Sequence, residues 1–170
     1  AVLKIKKNLA DGRHVDIMYV YRDPLVSWSA VLERVLTQDR IVPIVTHIKT
    51  HQFSLPTVKR IASEFAQDGR LRVSAIDNSF GKGEFKELKN LDEVPKFDYT
   101  GIEDKLYDTT RAAYQSGKIT REHFQAAVEG SPKLEKRFLE EPSDVGPRGQ
   151  EGVRAPESGL ARALPGGRSD

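Results

Sequence analysis

The chain has 170 residues, 27 of them basic and 25 acidic, and no cysteine. That length suits one domain, or a small domain with a tail. A net charge of +2 is too weak a field to mark a binder of nucleic acid or of an anionic membrane. Zero cysteines exclude disulfides, thiolate nucleophiles and Cys-ligated metals. No apolar run approaches the ~18 residues of a membrane helix. Lys4, Lys6 and Lys7 interrupt the first apolar stretch, so these residues do not read as a secretory signal. A cytoplasmic setting is therefore expected.

Ala1 to Ala10 reads as the end of a helix, stopped at Asp11-Gly12, where glycine supplies the cap. Val15 to Tyr21 is a nearly unbroken β-branched and aromatic run, the pattern of a strand buried on both faces of a parallel sheet. After Arg22-Asp23-Pro24, the residues Leu25, Trp28, Val31, Leu32, Val35 and Leu36 share one helix face. Residues 39–52 are poorly periodic and contain Pro43, so they read as an irregular excursion. Ser54 can cap a second helix, with Leu55, Val58, Ile61, Ala62 and Phe65 inward and Asp68-Gly69 as its stop. Leu71 to Asp77 is a second strand, running into a turn over Asn78 to Gly83. Two helices follow, at about Tyr99–Ser116 and Thr120–Glu129, with a continuation to Leu139 interrupted by Pro132.

Strand, helix, excursion, helix, strand is a βαβ crossover, which makes the two strands parallel. The fold class expected is α/β: part of a doubly wound parallel sheet, helices on both faces, followed by C-terminal helices. Residues 142–170 are set apart from this body of residues 1–141. They hold 4 of the 9 prolines, 6 of the 13 glycines and no aromatic residue, a composition that cannot offset its own backbone entropy. A disordered tail is expected there.

Ligands in doubly wound sheets sit beyond the carboxyl ends of the strands, here Tyr21-Arg22-Asp23 and Ile76-Asp77-Asn78. From Arg40 to Arg60 there are four cations and no carboxylate. A basic segment over that edge suits phosphoryl transfer, in which charge spreads over the transferred group's oxygens. A solvated charged surface is the plainer alternative. His47 and His51, with His14 distant, lack the carboxylates or HExxH spacing of a zinc site. Gly81-Lys82-Gly83 is not a P-loop, since neither the preceding glycine nor the following Ser or Thr is present. No GxSxG nucleophile elbow occurs. Trp28 and Tyr19 read as core.

The runs Tyr19-Val20-Tyr21-Arg22-Asp23-Pro24, Glu33-Arg34, Arg40 to His47 and Val73 to Asn78 resemble, in the same order, the C-terminal half of the zeta toxin family, over about residues 1–130. The spacing of Arg40, Pro43 and His47 is the most specific part of that likeness. These are P-loop kinases of toxin–antitoxin systems whose characterised members phosphorylate UDP-N-acetylsugars. The resemblance implies ATP and Mg²⁺ as cofactors, a sugar-nucleotide substrate and an antitoxin protein as a partner, with no nucleic acid and no membrane. It implies Arg34 and Arg40 as catalytic residues facing the transferred phosphoryl group. It places His47, Asp77 and Asn78 at the nucleotide, with His47 and Lys49 ordering a lid. The Walker A loop and the general base would belong to a missing N-terminal kinase half, and this chain by itself would lack activity. The alternative is a non-catalytic interaction module, docking through an open sheet edge, or a decayed kinase remnant.

Overall fold

The computed structural model describes residues 2–81 and 83–142. In chain order the elements are α1 (Val2–Ala10), β1 (Val15–Tyr21), α2 (Pro24–Gln38), α3 (Ile44–Glu64), β2 (Leu71–Gly81), β3 (Glu84–Leu88), a 3₁₀ turn (Leu91–Glu93), α4 (Ile102–Gln115), α5 (Arg121–Val128) and α6 (Pro132–Leu139). α1 ends as its sequence requires: Gly12 takes φ +75°, a left-handed value that costs glycine nothing.

The sheet has three strands in the order β1-β2-β3. β1 and β2 are parallel, from Val15 opposite Leu71 to Tyr21 opposite Asp77, while β3 returns antiparallel on β2. The sheet is therefore mixed, not all-parallel as expected. Residues 78–83 are also more than a turn, because β2 continues through Gly81 into a hairpin. The side chains of β1 alternate. Val15, Ile17, Tyr19 and Tyr21 turn inward, whereas Asp16, Met18 and Val20 are exposed. The inward face packs on α1 and the C-terminal half of α3, in a cluster of Ile5, Leu9 and Ile61 with Val15, Ile17, Phe65 and Leu71 around it. Beside it Tyr21, Ala75 and Val94 pack with Tyr19, Leu55, Leu88 and Leu91. The expected burial of β1 on both faces is corrected accordingly. Among the described residues helices cover one face of the sheet, and the doubly wound arrangement is not formed.

The second correction concerns residues 39–52. Only residues 39–43 are irregular: from Ile44 the chain is helical, and α3 runs unbroken to Glu64 and contains Pro56. Pro43 stands just before the helix, where a proline does no harm. Thr57 Oγ1 donates to the Phe53 carbonyl at 2.7 Å and Ser54 Oγ to the His51 carbonyl at 3.4 Å, beside the proline.

α2, the first turn of α3 and α4–α6 make the larger core. Trp28, Ile44, Leu106, Tyr107, Phe124 and Leu134 are fully buried there. The Phe124 ring centroid lies 5.3, 5.6 and 5.1 Å from those of Tyr107, Tyr114 and Phe138. Gly130 adopts φ +80°, and a Cβ there would meet Val45 Cγ2 at 3.4 Å, so the α5–α6 turn closes tightly on α3. No helix among the described residues is long and apolar enough to cross a membrane. The expected tail, from residue 143 on, lies outside the described residues.

Candidate functional site

The parallel pairing of β1 and β2 ends at Tyr21 opposite Asp77, which brings Tyr21-Arg22-Asp23 beside Asp77-Asn78-Ser79. Asp23 leaves the strand and caps α2. Its Oδ1 accepts from the backbone N–H groups of Leu25 at 2.8 Å and Val26 at 3.2 Å, and Pro24 follows at the first helical position, where its missing N–H is no loss. The two strand ends are tied together. Asp23 N–H donates to Ser79 Oγ at 2.9 Å, and Ser79 N–H donates to Asp77 Oδ1 at 3.0 Å. Asp77 is buried and Asn78 half-buried. Burial raises the Tyr21 hydroxyl, and Asp23 and then Asp77 push it further, up to about 12. This edge is a rigid, acceptor-rich rim carrying two carboxylates. Asp23→Ala should destabilise the protein by about 1 kcal/mol, the usual worth of an N-cap, while Asp23→Asn keeps the acceptor and loses a few tenths. Urea denaturation midpoints of the two variants check this.

Beside the rim, three side chains converge between α2 and α3. His47 is buried, and its Nε2 lies 2.9 Å from the Pro24 carbonyl. A carbonyl only accepts, so this nitrogen carries the proton. Ser27 Oγ is 3.3 Å from His47 Nε2, 3.0 Å from His51 Nε2 and 3.1 Å from the Pro24 carbonyl. Burial lowers the pKa of His47. Burial and the neighbouring His47 lower that of His51 to about 4, against the pull of Asp23. Both imidazoles are therefore neutral near pH 7. They lock α3 against the first turn of α2 and leave no charged histidine facing a ligand.

The residues singled out from sequence fall in three places. Asp77 and Asn78 lie on the rim. His47 points inward to the Pro24 carbonyl from the first turn of α3. Arg34 and Arg40 are exposed at the far end of α2, and Arg34 Nε donates to its own helix at the Ala30 carbonyl, 3.3 Å away. Ten residues of helix put Arg34 roughly 15 Å along the axis from Pro24. The fold thus separates the two arginines from the Asp77–Asn78 rim. Ser27 was not singled out. Its signal was its place one turn into a helix that starts at a strand's carboxyl end.

Among the described residues no three His, Asp or Glu side chains gather to hold a cation. The rim carboxylates are already committed, Asp23 to the helix cap and Asp77 to Ser79. These residues do not fit a Mg²⁺ site of the protein's own. Asp77 and Asn78 retain the donors and acceptors to meet a base or ribose.

No curated protein matches the chain. The family model described as zeta toxin matches residues 2–81, the stretch from α1 through β2 that holds the parallel crossover and the rim. Two expectations are corrected by this match. It lies in the N-terminal portion of this chain and does not extend over residues 1–130, so α4–α6 stand outside it. The inference that the partner is a missing N-terminal kinase half is withdrawn with it, because the matched segment is itself N-terminal here. Over residues 2–81 the chain is similar to zeta toxin, and its mixed sheet, flanking helices and C-terminal helical region are consistent with part of a P-loop-kinase-like architecture.

Proposed function

We propose that the chain serves zeta-toxin-like phosphotransferase chemistry in the cytoplasm, with ATP and Mg²⁺ as the cofactors and a UDP-N-acetylsugar as the acceptor. The family match over residues 2–81 carries this reading. In it Asp77 and Asn78 meet the nucleotide at the rim. Arg34 and Arg40, about one helix length away, face the phosphoryl group and the sugar nucleotide, where a planar guanidinium can bind two oxygens at once. His47 acts indirectly, by fixing the first turn of α2 against α3. An antitoxin protein is the partner that accompanies this chemistry. The 170 residues contain no GxxxxGK[ST] sequence, so the chain alone is expected to bind without turnover.

Calorimetric titration with ATP and with a UDP-N-acetylsugar tests the reading. Saturable binding is expected, weakened about tenfold by Arg40→Ala, in line with the loss of one charge-assisted hydrogen bond, and similarly by Arg34→Ala. No binding of either ligand at millimolar concentration would sink it. The second reading, a non-catalytic interaction module, is favoured by the bare sheet face and the edge strand beside it.

A further inference from the structure

Asp39 is the single residue other than glycine with a left-handed backbone among the described residues, at φ 50° and ψ 34°. It ends α2: its N–H donates to the Val35 carbonyl at 2.9 Å, and the chain then turns away toward α3. Glycine usually fills such a place, because a Cβ is crowded there. Aspartate tolerates it better than most residues, and here its side chain also makes a contact. Asp39 Oδ1 lies 3.0 Å from Nε2 of His123, on the first turn of α5. Arg40 follows directly.

The His123 imidazole is held from both sides. A carboxylate only accepts, so Nε2 carries the proton and donates to Asp39. Thr120 N–H donates to Nδ1 at 3.3 Å, and His123 N–H donates to Thr120 Oγ1 at 3.3 Å. This is a capping box with histidine in the place usually taken by Glu or Gln. Either of those would close the cap too, so the cap alone does not call for histidine. What histidine adds is a second nitrogen, aimed at the end of α2. The Asp39 carboxylate is 94 % exposed, so this bond adds little to global stability. Its effect is local. Among the described residues no backbone hydrogen bond holds the N–H groups of Arg40, Ile41 and Val42. Arg40 is thus fixed by Asp39 on one side and on the other by Ile41, which packs against the larger core.

We propose that His123 is a positioning residue for Arg40: through Asp39 it fixes the turn out of α2, and with it the course of the segment that carries this arginine. His123 stands on α5, outside the segment matched to zeta toxin, and Arg40 stands inside it. The link therefore gives the C-terminal helices a part in the site. That part rests on the reading in which Arg40 faces the sugar nucleotide, whereas the link itself does not.

Two measurements on the full chain test it. Trypsin under native conditions cleaves after Arg40 at a rate set by how often residues 39–43 open. Mass spectrometry separates this cut from the one after Lys96, in the loop before α4. His123→Gln keeps the cap and loses the reach to Asp39. It should speed cleavage at Arg40 about fivefold relative to Lys96, the worth of one hydrogen bond. Asp39→Asn keeps both an acceptor and the tolerance of a left-handed backbone, and should leave that ratio at the parent value. The second measurement is calorimetric titration with a UDP-N-acetylsugar. His123→Gln should weaken binding about threefold, and should add nothing in a chain that already carries Arg40→Ala. If circular dichroism shows His123→Gln to be unfolded, Asp39→Gly takes its place, since glycine keeps the turn and removes the acceptor. An unchanged cleavage ratio, a binding parent indifferent to His123→Gln, or a loss that simply adds to that of Arg40→Ala would each overturn the proposal. A parent chain that binds no sugar nucleotide would overturn the enzymatic reading instead, and the cleavage ratio would still decide the link.

Discussion

Trp28→Ala should lower the stability of the protein by about 3–5 kcal/mol, the range for removing a large buried aromatic. The indole is fully buried between α2, α3 and α4. Its Nε1–H donates to Thr110 Oγ1 at 3.0 Å, and its ring meets His47 edge-on with centroids 5.0 Å apart. Alanine would leave a cavity where three helices meet, and the surrounding helices can collapse into it only in part. Since a domain's net stability is only about 5–15 kcal/mol, most of the margin would go. Trp28→Phe keeps much of the volume and loses the hydrogen bond. Thr110 Oγ1 would still donate to the Leu106 carbonyl, 2.7 Å away, so the cost should be smaller. Thermal melts followed by far-UV circular dichroism check both. A Trp28→Ala protein melting within a degree or two of the parent would show that this core does not hold the fold.

Acid should loosen the protein through its paired histidines before its carboxylates titrate. In the folded chain burial holds His51 down at about 4, from an ordinary 6.5, and His47 is lowered in the same direction. The unfolded chain therefore takes up protons first. Stability from these groups is fully present above about pH 6.5 and is lost as the pH falls toward 4. His51 keeps some contact with solvent, so the loss is set at about 1–2 kcal/mol rather than the full value of the shift. Around the pair stand Ser27, the Pro24 carbonyl, the Trp28 ring and the carboxylate of Asp23. Of these, Asp23 favours the protonated form of His51 and the Pro24 carbonyl that of His47, and burial outweighs both. Urea midpoints at pH 7.5 and pH 5 give the slope, and His51→Gln should flatten it. Equal midpoints at the two pH values would refute the assignment.

How much of this was legible depended on which residues spoke for themselves. β1 is bounded as its apolar run implied, from Val15 to Tyr21. Whether such a strand is covered on one face or two is a property of what packs on it, and Met18 and Val20 look the same in either case. α3 was concealed by Pro43 before it, by Pro56 within it and by its two histidines. Counting His47 and His51 as apolar completes a helical series from Ile44 through Ile48, Leu55, Val58 and Ile61, and burial lets a neutral imidazole fill such a position. β3 was concealed by charge, because Glu84, Lys86 and Glu87 leave only Phe85 and Leu88 to mark a strand. Asp77 and Asn78 could be placed next to the carboxyl end of β1 from the pattern alone, although β2 itself runs on to Gly81. The distance from there to Arg34 could not, because it depends on α2 running away from the rim.

The one helix shared by both cores is α3. Its first turn sits with Trp28 and the histidine pair, and its last turns sit under the sheet with α1. Pro56 lies between them, and a proline has no N–H to give the carbonyl four residues before it, that of Gln52. The weakest rung of the longest helix thus falls between the two packed bodies, where bending disturbs the fewest buried contacts. A displacement of the sheet would be taken up at this joint before it reached the helical half. Each half can then settle its own packing without forcing the other to repack.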